Sequence, residues 1–260
     1  TTVSCDDSDA LNAAQNLEPA TEFCNFTLNK VAGSFVANPS CPGEGTYTNT
    51  WTFTDACGRT SDTFTQIITV EDNTAPTFVE TLPTDTTVSC DSVPVAAVLT
   101  ATDNCDNSVA VTFDEQITDS DSCPSDYTIT RTWSVEDCAG NTTEHIQTIT
   151  VEDTTAPTFV ETLPSDTVAA YNAIPSAATL TATDNCDTNA GVSFSETYVG
   201  DNTSTTYTIV RTWTASDCTG NSIDHTQQIF VTENGDPVGL YINDITVMEL
   251  LGKAILEDFM

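Results

Sequence analysis

Apolar and polar residues alternate with a period of two along much of this chain. Tyr127, Ile129, Arg131, Trp133 and Val135 are interleaved with Thr128, Thr130, Thr132 and Ser134. A second stripe runs through Val109, Val111, Phe113, Glu115 and Ile117, and a third through Gln147, Ile149 and Val151. Because successive side chains of a strand point to opposite faces, each stripe marks one face of a strand. Turn signals separate the stripes at short intervals: Asp-Asn-Cys-Asp, Asp-Ser-Cys-Pro and Cys-Ala-Gly-Asn. Within this pattern no segment reads as a helix. Short strands punctuated in this way predict an all-β fold, a seven-strand Ig-like sandwich with Greek-key connections.

The pattern repeats. Ala-Pro-Thr-Phe-Val-Glu-Thr-Leu-Pro occurs at 75–83 and again, identically, at 156–164, an offset of 81 residues. The same offset relates Thr-Ala-Thr-Asp-Asn-Cys-Asp at 100–106 to 181–187, and Val-Glu-Asp at 70–72 to 151–153. Self-similarity at this period means tandem units that each bury their own core. The expected organisation is repeat 1 over 1–72, repeat 2 over 73–153, repeat 3 over 154–234 and a C-terminal segment over 235–260. Thr-Thr-Val-Ser-Cys at 1–5 matches 86–90, so repeat 1 is expected to be truncated, without the linker strand that precedes the other two. In the C-terminal segment Val247, Leu250, Leu251, Ala254 and Ile255 have helical spacing. A further unit, a partner helix, a divergent terminus and an appended sequence all fit it.

Charge narrows the partners. With 39 acidic and 5 basic residues the chain carries a formal charge of −34. Such a field repels nucleic-acid phosphates and anionic membrane surfaces and attracts cations. A hydrophobic content of 38% with recurrent Val, Ile, Phe and Trp argues for packed cores over disorder. No signal peptide opens the chain and no apolar run could span a bilayer, so export is expected to use sequence outside these residues.

Ten cysteines lie no closer than 15 residues apart, with only two histidines for company. Zinc sites use short C-x-x-C pairs, so this spacing predicts disulfides formed in an oxidising compartment. Repeat 3 keeps Cys186 and Cys218, the counterparts of Cys105 and Cys138, and lacks those of Cys90 and Cys123, where Tyr171 and Thr203 or Ser204 stand. Two cysteines missing together are most simply a missing pair. The expected bridges are therefore Cys90–Cys123, Cys105–Cys138, Cys186–Cys218, Cys5–Cys41 and Cys24–Cys57. Each would close a loop of roughly 33 residues and contribute about 3–4 kcal/mol in the chain-entropy model.

Little in the chain suggests catalysis. No serine or cysteine nucleophile has a partner, and each unit is large enough only for its own core. Carboxylate pairs of glycosidase type are compatible with the residue content alone, but tandem near-copies suit length and valency. His145 and His225 are equivalent to Phe64 of repeat 1, so both are expected to be packing residues. Arg131 and Arg211 interrupt one apolar stripe and Glu115 and Glu196 another, which predicts ion pairs across neighbouring strands. Lysine-dependent isopeptide cross-links are excluded from repeats 2 and 3, because the lysines are Lys30 and Lys253. Asn-x-Thr/Ser sequons begin at Asn25, Asn141 and Asn202.

Acids gather where units should join. In an Ig-like sandwich the linker bearing Glu71 and Asp72 enters at the end that also holds Asp103, Asp106 and Asp137. The corresponding set for repeat 3 is Glu152, Asp153, Asp184, Asp187 and Asp217. Converging carboxylates repel unless a hard cation sits among them, and oxygen-only ligands favour calcium.

The motifs Val-Glu-Asp-x-Thr-Ala-Pro-x-Phe, Thr-Asp-Asn-Cys-Asp, Arg-Thr-Trp and Asp-Cys-x-Gly-Asn recur across 1–234, with repeat 1 divergent. In these residues the chain resembles the HYR-like, Ig-like repeats of very large cell-surface adhesins of gliding Bacteroidetes, of the SprB type. The resemblance implies export by the type IX secretion system, display on the outer surface in association with the gliding machinery, and adhesion to an extracellular surface or polysaccharide. It also implies O-glycosylation at Asp-Thr/Ser-x sites such as Thr86, Ser92 and Thr167. The expected role is a non-enzymatic structural or adhesive stalk segment. Its rivals are a module that grips glycan directly and a client segment held by secretion or motility machinery.

Overall fold

The computed structural model describes residues 1–19, 26–119 and 123–235. Contacts divide the chain into two compact units. The first comprises Thr1–Thr87, Pro94–Thr118 and Thr128–Thr150; the second comprises Val88–Val93, Asp119–Tyr127 and the chain from Val151 onward.

In the first unit, repeat 1 contributes β1 (Thr2–Ser4), α1 (Ser8–Asn16), β2 (Thr27–Val31), β3 (Val36–Asn38), β4 (Cys41–Thr54) and β5 (Phe64–Glu71). The sheet order is β1-β5-β4-β2, with β3 also on β4. β1 lies parallel to β5, Val3 opposite Val70, and these two close a core with Ile68 and Ala14. α1 was not expected. Asp7 caps it, its carboxylate accepting from the Ala10 N–H at 2.8 Å, and Ala10, Leu11 and Ala14 turn onto the sheet.

Most of repeat 2 completes this unit, through β6 (Thr77–Phe78), β7 (Thr86–Val88), β8 (Ala101–Thr102), β9 (Ala110–Asp119), β10 (Tyr127–Glu136) and β11 (Thr142–Val151). Its sheets are a four-stranded β7-β11-β10-β9 and a two-stranded β6-β8. Repeat 3, in the second unit, copies this plan with β12 (Thr158–Phe159), β13 (Thr167–Ala170), β14 (Ala182–Thr183), β15 (Gly191–Val199), β16 (Tyr207–Ser216) and β17 (Ser222–Thr232). Its sheets are β13-β17-β16-β15 and β12-β14. The all-β, Ig-like sandwich class is therefore as read from the alternation.

Among the described residues repeats 2 and 3 each carry six strands where seven were expected. The missing one is the stretch between β7 and β8. Its carbonyls are taken by core side chains, so no ladder forms: Arg131 donates to Pro94 O at 2.8 Å and Trp133 Nε1 to Ala97 O at 3.0 Å. Repeat 3 does the same with Arg211 to Pro175 O and Trp213 to Ala178 O.

The central stripes lie where the alternation puts them. Ile129, Arg131, Trp133 and Val135 are buried, as are Gln147, Ile149 and Val151. The β9 stripe is different: Phe113 and Ile117 are about half exposed, and β9 is the edge strand of its sheet. Both expected ion pairs form, Arg131 Nε to Glu115 at 2.7 Å and Arg211 Nε to Glu196 at 2.8 Å. Repeat 1 replaces the arginine by buried Asn49, which donates to Gln66 and accepts from Gly33 N–H. His145 and His225 each hydrogen-bond a linker carbonyl, Pro83 O and Pro164 O, at 2.8 Å, with their rings beside Trp133 and Trp213. The helical spacing at 247–255 and the sequon at Asn25 lie outside the described residues.

Candidate metal centre

Each candidate centre is assembled from a linker and two loops. Thr-Asp-Asn-Cys-Asp, after β8, forms a tight Asx turn: one Asp103 oxygen accepts the N–H groups of Cys105 and Asp106, both at 2.8 Å. The β10–β11 turn is built likewise, one Asp137 oxygen accepting from Ala139 at 2.9 Å and Asn141 at 2.8 Å. That turn needs Gly140, whose φ of 92° lies in the left-handed region. The linker then brings in Asp72, one oxygen of which accepts from Thr74 N–H at 3.0 Å.

Carboxylate oxygens of Asp72, Asp103 and Asp137 come within 4.8 Å of one another. Asp72 is 4% exposed, and its second oxygen and that of Asp103 are buried with no hydrogen-bond partner. The second unit repeats the arrangement with Asp153, 5% exposed, and Asp184, whose second oxygens are likewise orphaned, beside Asp217. Burial pushes the Asp72 carboxyl above the usual 3.8, with the charges of Asp103 and Asp137 adding to the rise against the Thr74 N–H. Asp153 is raised for the same reasons, by burial first and then by Asp184 and Asp217. Asp217 itself is pushed up by burial but held low overall by donors from Asn221, Thr219 and Gly220. Buried anions without donors are costly. A hard divalent cation is the ligand that would satisfy them, so the donors fit calcium.

The set is smaller than expected. Asp106 and Asp187 are not part of it: each ties the two loops together by accepting from Cys138 N–H at 3.0 Å and Cys218 N–H at 2.9 Å. Glu71 and Glu152 are exposed and stand outside it. Two asparagines were overlooked. Asn141 Nδ2 lies 2.8 Å from Asp137, 3.2 Å from Asp72 O and 3.4 Å from Thr74 O, and Asn221 sits similarly among Asp217, Asp153 O and Thr219. Half a turn of the amide would present its oxygen to a cation. The recurrence of Asp-Cys-x-Gly-Asn was the signal for them.

Beside these acids lie the disulfides, and their pairing corrects the expectation. The bridges are Cys5–Cys105, Cys41–Cys138, Cys90–Cys186 and Cys123–Cys218. Cys5–Cys41, Cys90–Cys123, Cys105–Cys138 and Cys186–Cys218 are not formed. Each bridged cysteine pairs with one of the neighbouring repeat. The first and third cysteines of one repeat bond the second and fourth of the next. Both Cys90 and Cys123 belong to the unit that contains repeat 3. Joint absence of two cysteines from repeat 3 therefore reflects a shared direction of bonding and not a lost internal pair. Cys57 is exposed, and its expected partner Cys24 lies outside the described residues.

Fold and site together define a class: tandem, all-β, Ig-like sandwich repeats cross-linked by disulfides. The chain belongs to the family of HYR-like domains with four cysteines, whose model matches residues 1–70 and 78–151, over half of its length. No curated protein sequence matches it. Solved structures similar to it include mouse clustered PcdhgC3 EC1-3, at 14% identity and TM-score 0.29, covering 75% of this chain and 78% of that one. Drosophila N-cadherin EC1-4 aligns at 15% identity and TM-score 0.28 (88% and 72% covered). Human CDH23 EC21-23 aligns at 16% identity and TM-score 0.28 (88% and 97%). At these scores none of the three assigns a function. Among the described residues no helix is long and apolar enough to cross a membrane.

Proposed function

We propose that this chain is a non-enzymatic segment of an extracellular adhesive stalk, displayed at a cell surface, with calcium at the joints between its repeats. The observation that carries the reading is the disulfide register. Bridges closing 95 to 100 residues from one repeat to the next resist extension, whereas bridges inside each sandwich would leave the joints free. Disulfides in this number also favour an oxidising, extracellular setting. The buried, donor-poor acids support calcium, at the roughly 10⁻⁴–10⁻³ M affinity typical of extracellular modules. Resemblance to SprB-type adhesins supports the finer reading: type IX export, outer-membrane association, gliding, and contact with an extracellular surface or polysaccharide.

Single-molecule pulling tests the stalk. Under oxidising conditions the bridged chain should stay closed under load, and because the four loops overlap between Cys5 and Cys218, reductant should release about 70 nm in total, roughly 200 residues at ~3.5 Å each. Traces identical with and without reductant would sink the proposal. Calcium has its own test. Melting in calcium should lie several degrees above melting in chelator, and coincident curves would remove the metal while leaving the stalk.

A further inference from the structure

At each joint one of the two disulfides lies against the acids of the candidate metal centre. In the first unit the sulfurs of Cys5 and Cys105 and a carboxylate oxygen of Asp72 are within 4.8 Å of one another. In the second unit Cys186 Sγ stands in the same relation to oxygens of Asp153 and Asp184, and Cys90 is bonded to that sulfur. The 81-residue offset makes Asp103 the counterpart of Asp184. Each joint therefore gathers two sulfurs and two carboxylates: Cys5, Cys105, Asp72 and Asp103, then Cys90, Cys186, Asp153 and Asp184. The carboxylate oxygens left buried without a hydrogen-bond partner belong to these four aspartates, whereas Asp137 and Asp217 have theirs taken by Asn141 and Asn221.

The sulfurs carry donors of their own. Asn104 Nδ2 lies 3.0 Å from Cys105 Sγ and 3.7 Å from Cys5 Sγ. Asn185 Nδ2 lies 3.1 Å from Cys186 Sγ and 3.8 Å from Cys90 Sγ. A disulfide sulfur is a weak acceptor, while a metal-bound thiolate is charged and takes such N–H groups well. The second bridge at each joint has one end walled off, Cys41 being 1% and Cys123 4% exposed. Cys5, Cys90, Cys105 and Cys186 are all partly exposed. Thiol–disulfide exchange needs access to a sulfur, so a reductant opens the bridges beside the acids first.

We propose that the Cys5–Cys105 and Cys90–Cys186 bridges, once reduced, become sites for a thiophilic divalent ion such as Zn²⁺, held by two thiolates and two aspartates. A dithiol supplies two electrons and two protons to each bridge, leaving two cysteine thiols and its own disulfide. The ion then displaces both thiol protons and takes the two sulfurs with one oxygen from each aspartate. Thiolates select zinc over calcium, and four ligands of this kind suit its tetrahedral preference. The redox state of the bridge thus selects the metal, and the ion joins the same residues that the bridge joined. The site shares Asp72, Asp103, Asp153 and Asp184 with the calcium set but does not depend on calcium.

Cobalt(II) is the probe, because thiolate ligands give it a sulfur-to-metal charge-transfer band that oxygen ligands do not. The oxidised 260-residue chain is alkylated to block Cys57, reduced with limiting dithiothreitol, freed of reductant and titrated without oxygen. Labelling of the new thiols should find Cys5, Cys90, Cys105 and Cys186, with Cys41–Cys138 and Cys123–Cys218 intact. The band should saturate at one ion per opened bridge, and zinc should bleach it. Zinc should also raise the melting temperature of the reduced chain. Asp72→Asn combined with Asp153→Asn should weaken cobalt binding about tenfold or more. Asp137→Asn, outside the sulfur set, should leave the band unchanged. Cobalt bound without the sulfur band, or a band indifferent to the paired asparagine substitutions, would overturn the proposal. So would reduction that opens Cys41–Cys138 or Cys123–Cys218 first. None of these results bears on calcium binding by the oxidised chain, so the two metals stand or fall separately.

Discussion

Arg131 and Glu115 show how an ion pair inside an apolar stripe is sustained. The guanidinium side chain is 5% exposed and the carboxylate 36%, so the two charges are unequally hidden. Removing the glutamate strands a buried cation with one carbonyl left, that of Pro94. Glu115→Ala is therefore expected to cost about 3 kcal/mol despite its exposed position, while Thr130→Ala on the opposite face should stay within about 0.5 kcal/mol; urea denaturation compares them. In repeat 3 the hydrogen bond from Arg211, and then that from Tyr198, hold the Glu196 carboxyl below its usual 4.5. That stabilisation is complete above the ordinary value and is lost as pH falls through the depressed one.

Asp72 has the opposite sign. Its carboxyl is raised by burial, so in chelator the folded protein binds this proton more tightly than the unfolded chain does. Its contribution is favourable below 3.8 and lost as pH rises through the raised value. Asp72→Asn keeps the oxygen that accepts from Thr74 and gives the orphaned Asp103 oxygen a donor. In chelator the variant should melt higher, by about 1 kcal/mol or a few degrees. In calcium it should melt lower than the parent, because one anionic ligand is gone. A variant that shifts in the same direction in both buffers would dissociate this cluster from metal.

At the scale of elements, α1 and the segment between β7 and β8 depart from the alternating pattern for different reasons. α1 is nine residues long, and its signals are an Asp cap and three small or apolar residues on one face. In isolation so short a helix is marginal, and it stands because Ala14 and Leu11 pack on Val3 and Ile68. Asp7→Ala should lower the stability of repeat 1 by about 1 kcal/mol, visible as loss of hydrogen-exchange protection in residues 8–16 while repeat 3 stays unchanged. The segment between β7 and β8 contains Pro94, and its carbonyls serve Arg131 and Trp133. Local propensity could not anticipate that, since the donors that compete with a ladder for these carbonyls lie some 36 residues away.

For the whole molecule the decisive feature is which cysteines meet. Non-reducing peptide mapping should recover Cys90 with Cys186 and Cys123 with Cys218; Cys90 joined to Cys123 would overturn the register. Loops of 95 to 100 residues correspond to about 4–5 kcal/mol each in the chain-entropy model, more than internal bridges of roughly 33 residues would supply. Because the loops overlap along the chain, their contributions should not add. Removing one bridge through Cys186→Ala and Cys90→Ala together should nonetheless depress melting of repeat 3 by several degrees.

What the amino-acid order determined by itself was periodic or repeated. Alternation set the faces of β10 and β11, the 81-residue offset made repeats 2 and 3 copies, and the charged intruders in two stripes named their own partners. These properties depend on neighbours within a strand or in the adjoining one, where spacing alone decides contact. Only the tertiary structure decided the disulfide register, the reduction of ten candidate acids to the Asp72 and Asp153 clusters, and the setting of two bridges against those acids. Each depends on how loops from distant parts of the chain are brought together. A cysteine or an aspartate carries the same composition signal whether it faces a neighbour in its own sandwich or one in the next repeat.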